Sequence, residues 1–171
     1  SHDQSSGPVD LNDAVKQVVN LLAEDAQAAR VRVFLDLNES LGVVYGDDIQ
    51  IQQVILNLAR NAIEAMAEHG SDRRTLTRTT CCGSDKFNRV IVRDSGPGLT
   101  EDQMGRVFDQ FYTSKPNGLG MGLAISRSII RAHGGRLSAE NNPDGGASFV
   151  FTLPIFQRDG AHADSASRTR A

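Results

Sequence analysis

The chain has 171 residues, 39% hydrophobic and 23% charged, which suits one domain with one core. Eighteen Lys and Arg against 21 Asp and Glu leave a net charge of -3, without the basic excess that a nucleic-acid surface needs. No apolar run approaches the roughly 18 residues needed to span a bilayer and no signal peptide opens the chain, so the expectation is a cytoplasmic domain without direct membrane contact.

In chain order, Ser1 to Gly7 is polar and reads as disordered or, around Ser1 and His2, as left by cloning. Asn12 to Ala29 carries Val15, Val18, Val19, Leu22 and Ala26 at helical spacing and predicts an amphipathic helix. Val31, Val33, Leu35 and Leu37 alternate with Arg32, Phe34 and Asp36, as in a half-buried strand. A shorter strand is expected over Val43 to Tyr45, then a long helix from Asp47 to about His69, closed by Gly70. Leu76 to Cys82 and Phe87 to Arg93 form a strand pair around Gly83-Ser84-Asp85. Cys81 and Cys82 are adjacent, so they cannot staple distant elements, and no zinc-spaced partner lies near them. They read as cytosolic thiols.

Asp94-Ser95-Gly96-Pro97-Gly98 breaks the pattern, and Thr100 with Gln103 fits a capping box opening a short helix. Residues 109–120 are loop-like, Gly122 to His133 is helical, and Leu137 and Ser148 to Leu153 are strands. Arg158 to Ala171 is small and polar, with nothing to bury. The domain is therefore expected over residues 8–156, flanked by disordered residues 1–7 and 157–171. Strands follow one another as often as they are separated by helices. That favours an α/β two-layer sandwich, a mixed sheet with helices on one face.

Three segments carry chemistry. On the long helix, Gln50, Gln53, Asn57, Arg60, Asn61, Glu64 and Glu68 share one side at about 100° per residue. A solvated face is the plain reading. Two mid-helix Asn residues one turn apart are poor helix formers, however, and amide oxygens suit a magnesium ion held on phosphates. Asp94 follows the run Val90-Ile91-Val92, so it falls at a strand end on a cleft floor. Its carboxylate can accept from an exocyclic amine, while Gly96 and Gly98 permit close approach of a flat ring; a simple turn is the alternative. Gly118-Leu119-Gly120-Met121-Gly122-Leu123 runs into a helix, where bare amides suit phosphate, unless it is only a linker. Lys115 lies on the same loop, within reach of a terminal phosphate or simply in solvent. No G-x-x-x-x-G-K-[ST] is present, and the glycines are not a Rossmann G-x-G-x-x-G.

Together these segments resemble the boxes of sensor histidine kinases. Asn57 to Ala65 resembles the N box, Asp94 to Gly98 the G1 box, Phe108 to Lys115 the F box and Gly118 to Leu123 the G2 box. Gly145 through Pro154 resembles the closing strand motif. The resemblance implies the Bergerat ATP-binding fold, with three main helices on one face of a mainly antiparallel sheet. It implies that ATP and Mg²⁺ are the cofactors, with Asn61 on the metal, Asn57 nearby, and Asp94, Gly96 and Gly98 at the adenine. Lys115, Gly118, Leu119, Gly120, Met121, Gly122 and Leu123 would hold phosphates under a lid. The implied partners are a histidine-bearing dimerisation hairpin and, through the parent protein, a response regulator receiver domain.

The chain departs from the family pattern at Glu64, where some relatives carry Lys, and it contains no phosphoacceptor hairpin, so no catalytic residue is expected within it. His69 and His133 each precede Gly at a helix end, and His2 and His162 have no helix around them. The alternatives are a stand-alone kinase or anti-sigma-like module of the same superfamily, or a self-sufficient ATPase. Gyrase and the chaperone ATPase carry a Glu one turn before the magnesium Asn; here that residue is Asn57.

Overall fold

The computed structural model describes residues 6–70, 74–84, 86–113 and 120–157. Lys115, Gly118, Leu119, His2, His162 and the C-terminal tail lie outside them.

Two strands and two helices come first. β1 (Ser6–Val9) pairs antiparallel with β3 (Val44–Asp47), and the second member of this ribbon also bridges Ile155 through Val44. Ser6 and Gly7, expected in a disordered leader, therefore belong to the fold. Their order comes from pairing with residues about forty positions away, which local composition cannot register. The helix expected from Asn12 to Ala29 is two helices, α1 (Leu11–Leu21) and α2 (Ala23–Ala28), broken at Leu22. The break keeps both Leu22 and Ala26 in the core. Asp10 caps α1 through its side chain to the amides of Asn12 and Asp13.

β2 (Arg32–Leu37) leads through β3 into α3 (Asp48–His69). Asp47 caps α3, and Gly70 closes it in the left-handed region at φ 68°, as its sequence position predicts. β4 (Thr75–Ser84) and β5 (Phe87–Asp94) form the expected antiparallel pair. Thr100 and Gln103 make the expected reciprocal capping box on α4 (Glu101–Arg106). α5 (Gly122–Ala132), β6 (Arg136–Asn141) and β7 (Ala147–Pro154) complete the chain.

The main sheet has the order β2-β4-β5-β7-β6, with only β2 and β4 parallel. The mixed, mainly antiparallel sheet is thus as expected. Its registers put Val92 and Phe149 in one row, and Val90, Phe151 and Leu137 in the next. All five are buried beneath the helices, with α1 over β4, α3 over β5 and α5 over β6 and β7. Ile91 and Val150 point the other way and are only half-buried. The same alternation turns Arg78 inward with Leu76 and Thr80. Arg78 is 0% exposed, and none of its three guanidinium nitrogens has a hydrogen-bond partner.

Candidate nucleotide site

The strand alternation that buries Val90 and Val92 also turns Asp94 toward α3 at the end of β5. It is 6% exposed. Its Oδ1 accepts from the amides of Gly96 at 2.8 Å and Ala147 at 3.2 Å. Burial pushes the carboxyl above its ordinary pKa, while these two N–H donors pull it back. The carboxylate is thereby fixed through Oδ1 to backbone on a residue that lines the cavity described next.

That cavity measures about 590 Å³, within the size range of small-molecule sites. Asn57, Arg60, Asn61 and Glu64 of α3 line one wall. Asp94, Gly98, Ala147 and Phe149 form the floor and the adjoining turn. Gly120, Met121, Gly122 and Leu123 supply the opposite wall, and Tyr112 and Thr113 the entrance from the loop side. Four of the seven residues of the polar stripe expected on α3, Asn57, Arg60, Asn61 and Glu64, line this cleft, whereas Gln50, Gln53 and Glu68 do not; Ile51, Val54, Ile55, Leu58, Ala59, Ala62, Ile63 and Met66 fill the core.

Asn57 is half-buried and turns its amide nitrogen to Ser126 Oγ at 3.3 Å and to Gly122 O at 3.5 Å. It ties the binding helix to the start of α5. Met121 precedes α5 without a side-chain cap hydrogen bond of its own, and Met121, Gly122 and Leu123 at this helix start line the cavity. The amide of Phe111 donates to Gly120 O at 2.8 Å. Phe108 stacks edge-on with Phe149 and lies under the guanidinium of Arg127, fastening the segment after α4 to both β7 and α5.

Gly98 lines the cavity, and the turn itself also requires glycine there. It adopts φ 77°, and a Cβ there would come 2.9 Å from Asn141 Oδ1. Asn141 grips the turn by accepting from Leu99 N and donating to Leu99 O, at 2.8 and 2.7 Å. Asn142 donates to Asp94 O at 3.2 Å. Asn141, Asn142 and Gly146 thus build the back of the Asp94 site. Sequence reading missed these roles, because the only local signal is the turn composition of Asn141-Asn142-Pro143-Asp144-Gly145-Gly146. His69 lies exposed in the last turn of α3, and His133 caps the end of α5.

A single helix layer on a mixed sheet, open between α3 and α5 around an anchored aspartate, is the Bergerat arrangement of an ATP-binding domain. The family model of histidine kinase-, DNA gyrase B- and HSP90-like ATPases matches residues 46–157. The chain belongs to this family. The sensor protein FixL of Bradyrhizobium diazoefficiens is 44% identical over 144 residues, covering 84% of this chain and 28% of that protein. The catalytic domain of the histidine kinase ThkA, in a nucleotide-free form, gives a TM-score of 0.76 at 30% identity, over 88% of this chain and 97% of that one. Full-length ShkA in complex with AMPPNP gives a TM-score of 0.76 at 27% identity, over 88% of this chain and 31% of that one. The chain spans less than a third of the length of the first curated relatives it matches.

Proposed function

We propose that this chain holds Mg·ATP between α3, β5 and α5 and presents the γ-phosphate to a histidine on a helical hairpin of the same protein. The phosphoryl group then passes to the receiver domain of a response regulator. The observation that carries this reading is the convergence of Asp94, Asn61 and the uncapped start of α5 on one cavity. Asp94 accepts from the adenine amine with the oxygen that the backbone leaves over. Phosphates lie toward Gly120, Met121, Gly122 and Leu123, where helix amides and the helix dipole favour negative charge. Lys115, Gly118 and Leu119, outside the described residues, are assigned to the same phosphates.

Among the described residues, no group of three His, Cys, Asp or Glu could hold a metal unaided. The donor on this wall is the amide oxygen of Asn61, with Asn57 one turn away. That set suits magnesium, which keeps water and phosphate ligands and takes few from protein. When bound, magnesium offsets the charge of the phosphates. Asn57 cannot accept a proton at neutral pH, so water near the γ-phosphate is not activated from that position. The reading covers a folded domain from Ser6 to about Phe156, acting on the cytoplasmic side where ATP is supplied.

Incubation with radiolabelled ATP tests it. The chain alone should stay unlabelled, since His69 and His133 lie on no acceptor hairpin. A separately supplied hairpin of the same protein should take an acid-labile label. Stable label on His69 or His133 of the isolated chain contradicts the proposal.

A further inference from the structure

His133 is a half-buried histidine with both ring nitrogens engaged. Nδ1 lies 2.7 Å from Ile129 O, one turn back in α5. A carbonyl can only accept, so Nδ1 carries the proton. Nε2 then has a free lone pair, and it accepts from the backbone N–H of Asp47 at 3.1 Å. Asp47 is the N-cap of α3. The contact therefore joins the C-cap of one nucleotide-site helix to the N-cap of the other, across 86 positions of sequence.

The surroundings are built for it. A Cβ on Gly46 would come 2.3 Å from the ring at Cδ2 and 2.7 Å from Nε2, so only glycine lets the imidazole reach the Asp47 amide. A Cβ on Gly135 would come 1.8 Å from Thr152 O, so the chain must turn tightly against β7 immediately after His133. Near the start of α5, Asn57 in the middle of α3 reaches Ser126 and Gly122. Both helices are rigid rods with a rise of about 1.5 Å per residue. Two ties about ten residues apart fix their separation and their axial register; one tie would leave a pivot.

We infer that His133, in its Nδ1–H form, is a positioning residue that sets the start of α5 against Asn57 and Asn61 from the far end of α5. The inference rests on the nucleotide-site reading above. It assigns His133 no contact with ligand.

The test uses the whole chain and Mg·ATP calorimetry on His133→Leu and His133→Gln, with thermal stability measured in parallel. Gln offers an acceptor oxygen near the position of Nε2; Leu offers none. Removing a remote positioning contact should weaken ATP by roughly tenfold in His133→Leu, while His133→Gln should stay within about twofold of the parent. Equal ATP affinity in His133→Leu and the parent overturns the inference. So does a Gln variant as weak as the Leu variant, which marks a packing role only. Ring nitrogen NMR of the nucleotide-free parent gives an independent reading: the Nδ1–H tautomer supports the tie, and an Nε2–H tautomer overturns it even if the Leu variant fails to fold. A parent chain that binds no adenine nucleotide sinks the site reading instead, and the ring spectrum still decides whether the tie exists.

Discussion

Gly146 and Asp94 lie so close that a Cβ on the glycine would come 2.1 Å from the aspartate carbonyl oxygen and 3.0 Å from Oδ1. Gly146 also adopts φ 82°, which L side chains rarely enter. The next residue, Ala147, donates its amide to Oδ1. β7 is thereby welded to the end of β5 at the point where the carboxylate enters the cavity. Gly146→Ala must push this junction apart. We expect a stability loss on the order of 3 kcal/mol or more, read from urea unfolding. Adenine nucleotide binding should be lost with it, whereas Gly145→Ala, where a Cβ meets nothing within 4 Å, keeps more of both despite φ 103°.

Asp94 should trade stability for binding. Burial raises its pKa, so the folded state disfavours the ionised form. Its stability contribution is fully present below the ordinary carboxylate pKa and is lost as pH rises through the raised one. ATP binding needs the ionised oxygen and runs oppositely, falling as pH drops through that raised value. The loss of affinity should therefore begin at a higher pH than for an ordinary aspartate. Asp94→Asn should be more stable than the parent at neutral pH, should bind ATP poorly, and should lose this pH dependence. A thermal melt and an affinity series across pH check both arms.

Arg78 is a cost carried by the core. Burial pushes its guanidinium down to about 10, and among the described residues no hydrogen-bond partner offsets the charge. The group still stays protonated at neutral pH, at a cost on the order of 3 kcal/mol. Arg78→Met keeps most of the volume and removes the charge. It should raise the unfolding midpoint without changing ATP affinity, since Arg78 does not line the cavity. Above pH 10 the advantage should shrink, because the folded parent sheds its proton before the unfolded chain does.

Hydrolysis without an acceptor should be slow. Asn57 occupies the position from which a carboxylate would serve as general base, a role usually contributing about 10²- to 10⁴-fold. Its amide nitrogen is turned toward Ser126 and Gly122. Steady-state phosphate release should lie far below about 1 s⁻¹, and Glu64→Gln should not change it. Turnover near that rate, abolished by Glu64→Gln, identifies a true ATPase instead.

Local signals were legible where the physics is local. The Thr100–Gln103 capping box, the Gly70 cap and the polar stripe of Asn57, Asn61 and Glu64 each depend on residues within one or two helical turns. Asp94 was placed at a strand end because the apolar run before it is continuous in sequence. β1 was not legible, since Ser-Gly-Pro-Val has no alternation and is held only by β3. The inward turn of Arg78 follows from the β4 register, yet its charge argues for the outside. The Asn141 and His133 contacts span 42 and 86 positions, beyond any periodicity. Lys115, Gly118 and Leu119 fall outside the described residues.

In the proposed function Asp94 accepts from an adenine amine beside a magnesium-phosphate site. Titration calorimetry of the whole chain with ATP and GTP, each with and without magnesium, tests it most directly. ATP should bind with a dissociation constant between about 1 μM and 1 mM, tighter with magnesium, and should be strongly weakened by Asp94→Ala. GTP should bind poorly, because its ring offers a carbonyl where Asp94 needs a donor. Equal affinity for ATP and GTP, unchanged by Asp94→Ala, would contradict the account.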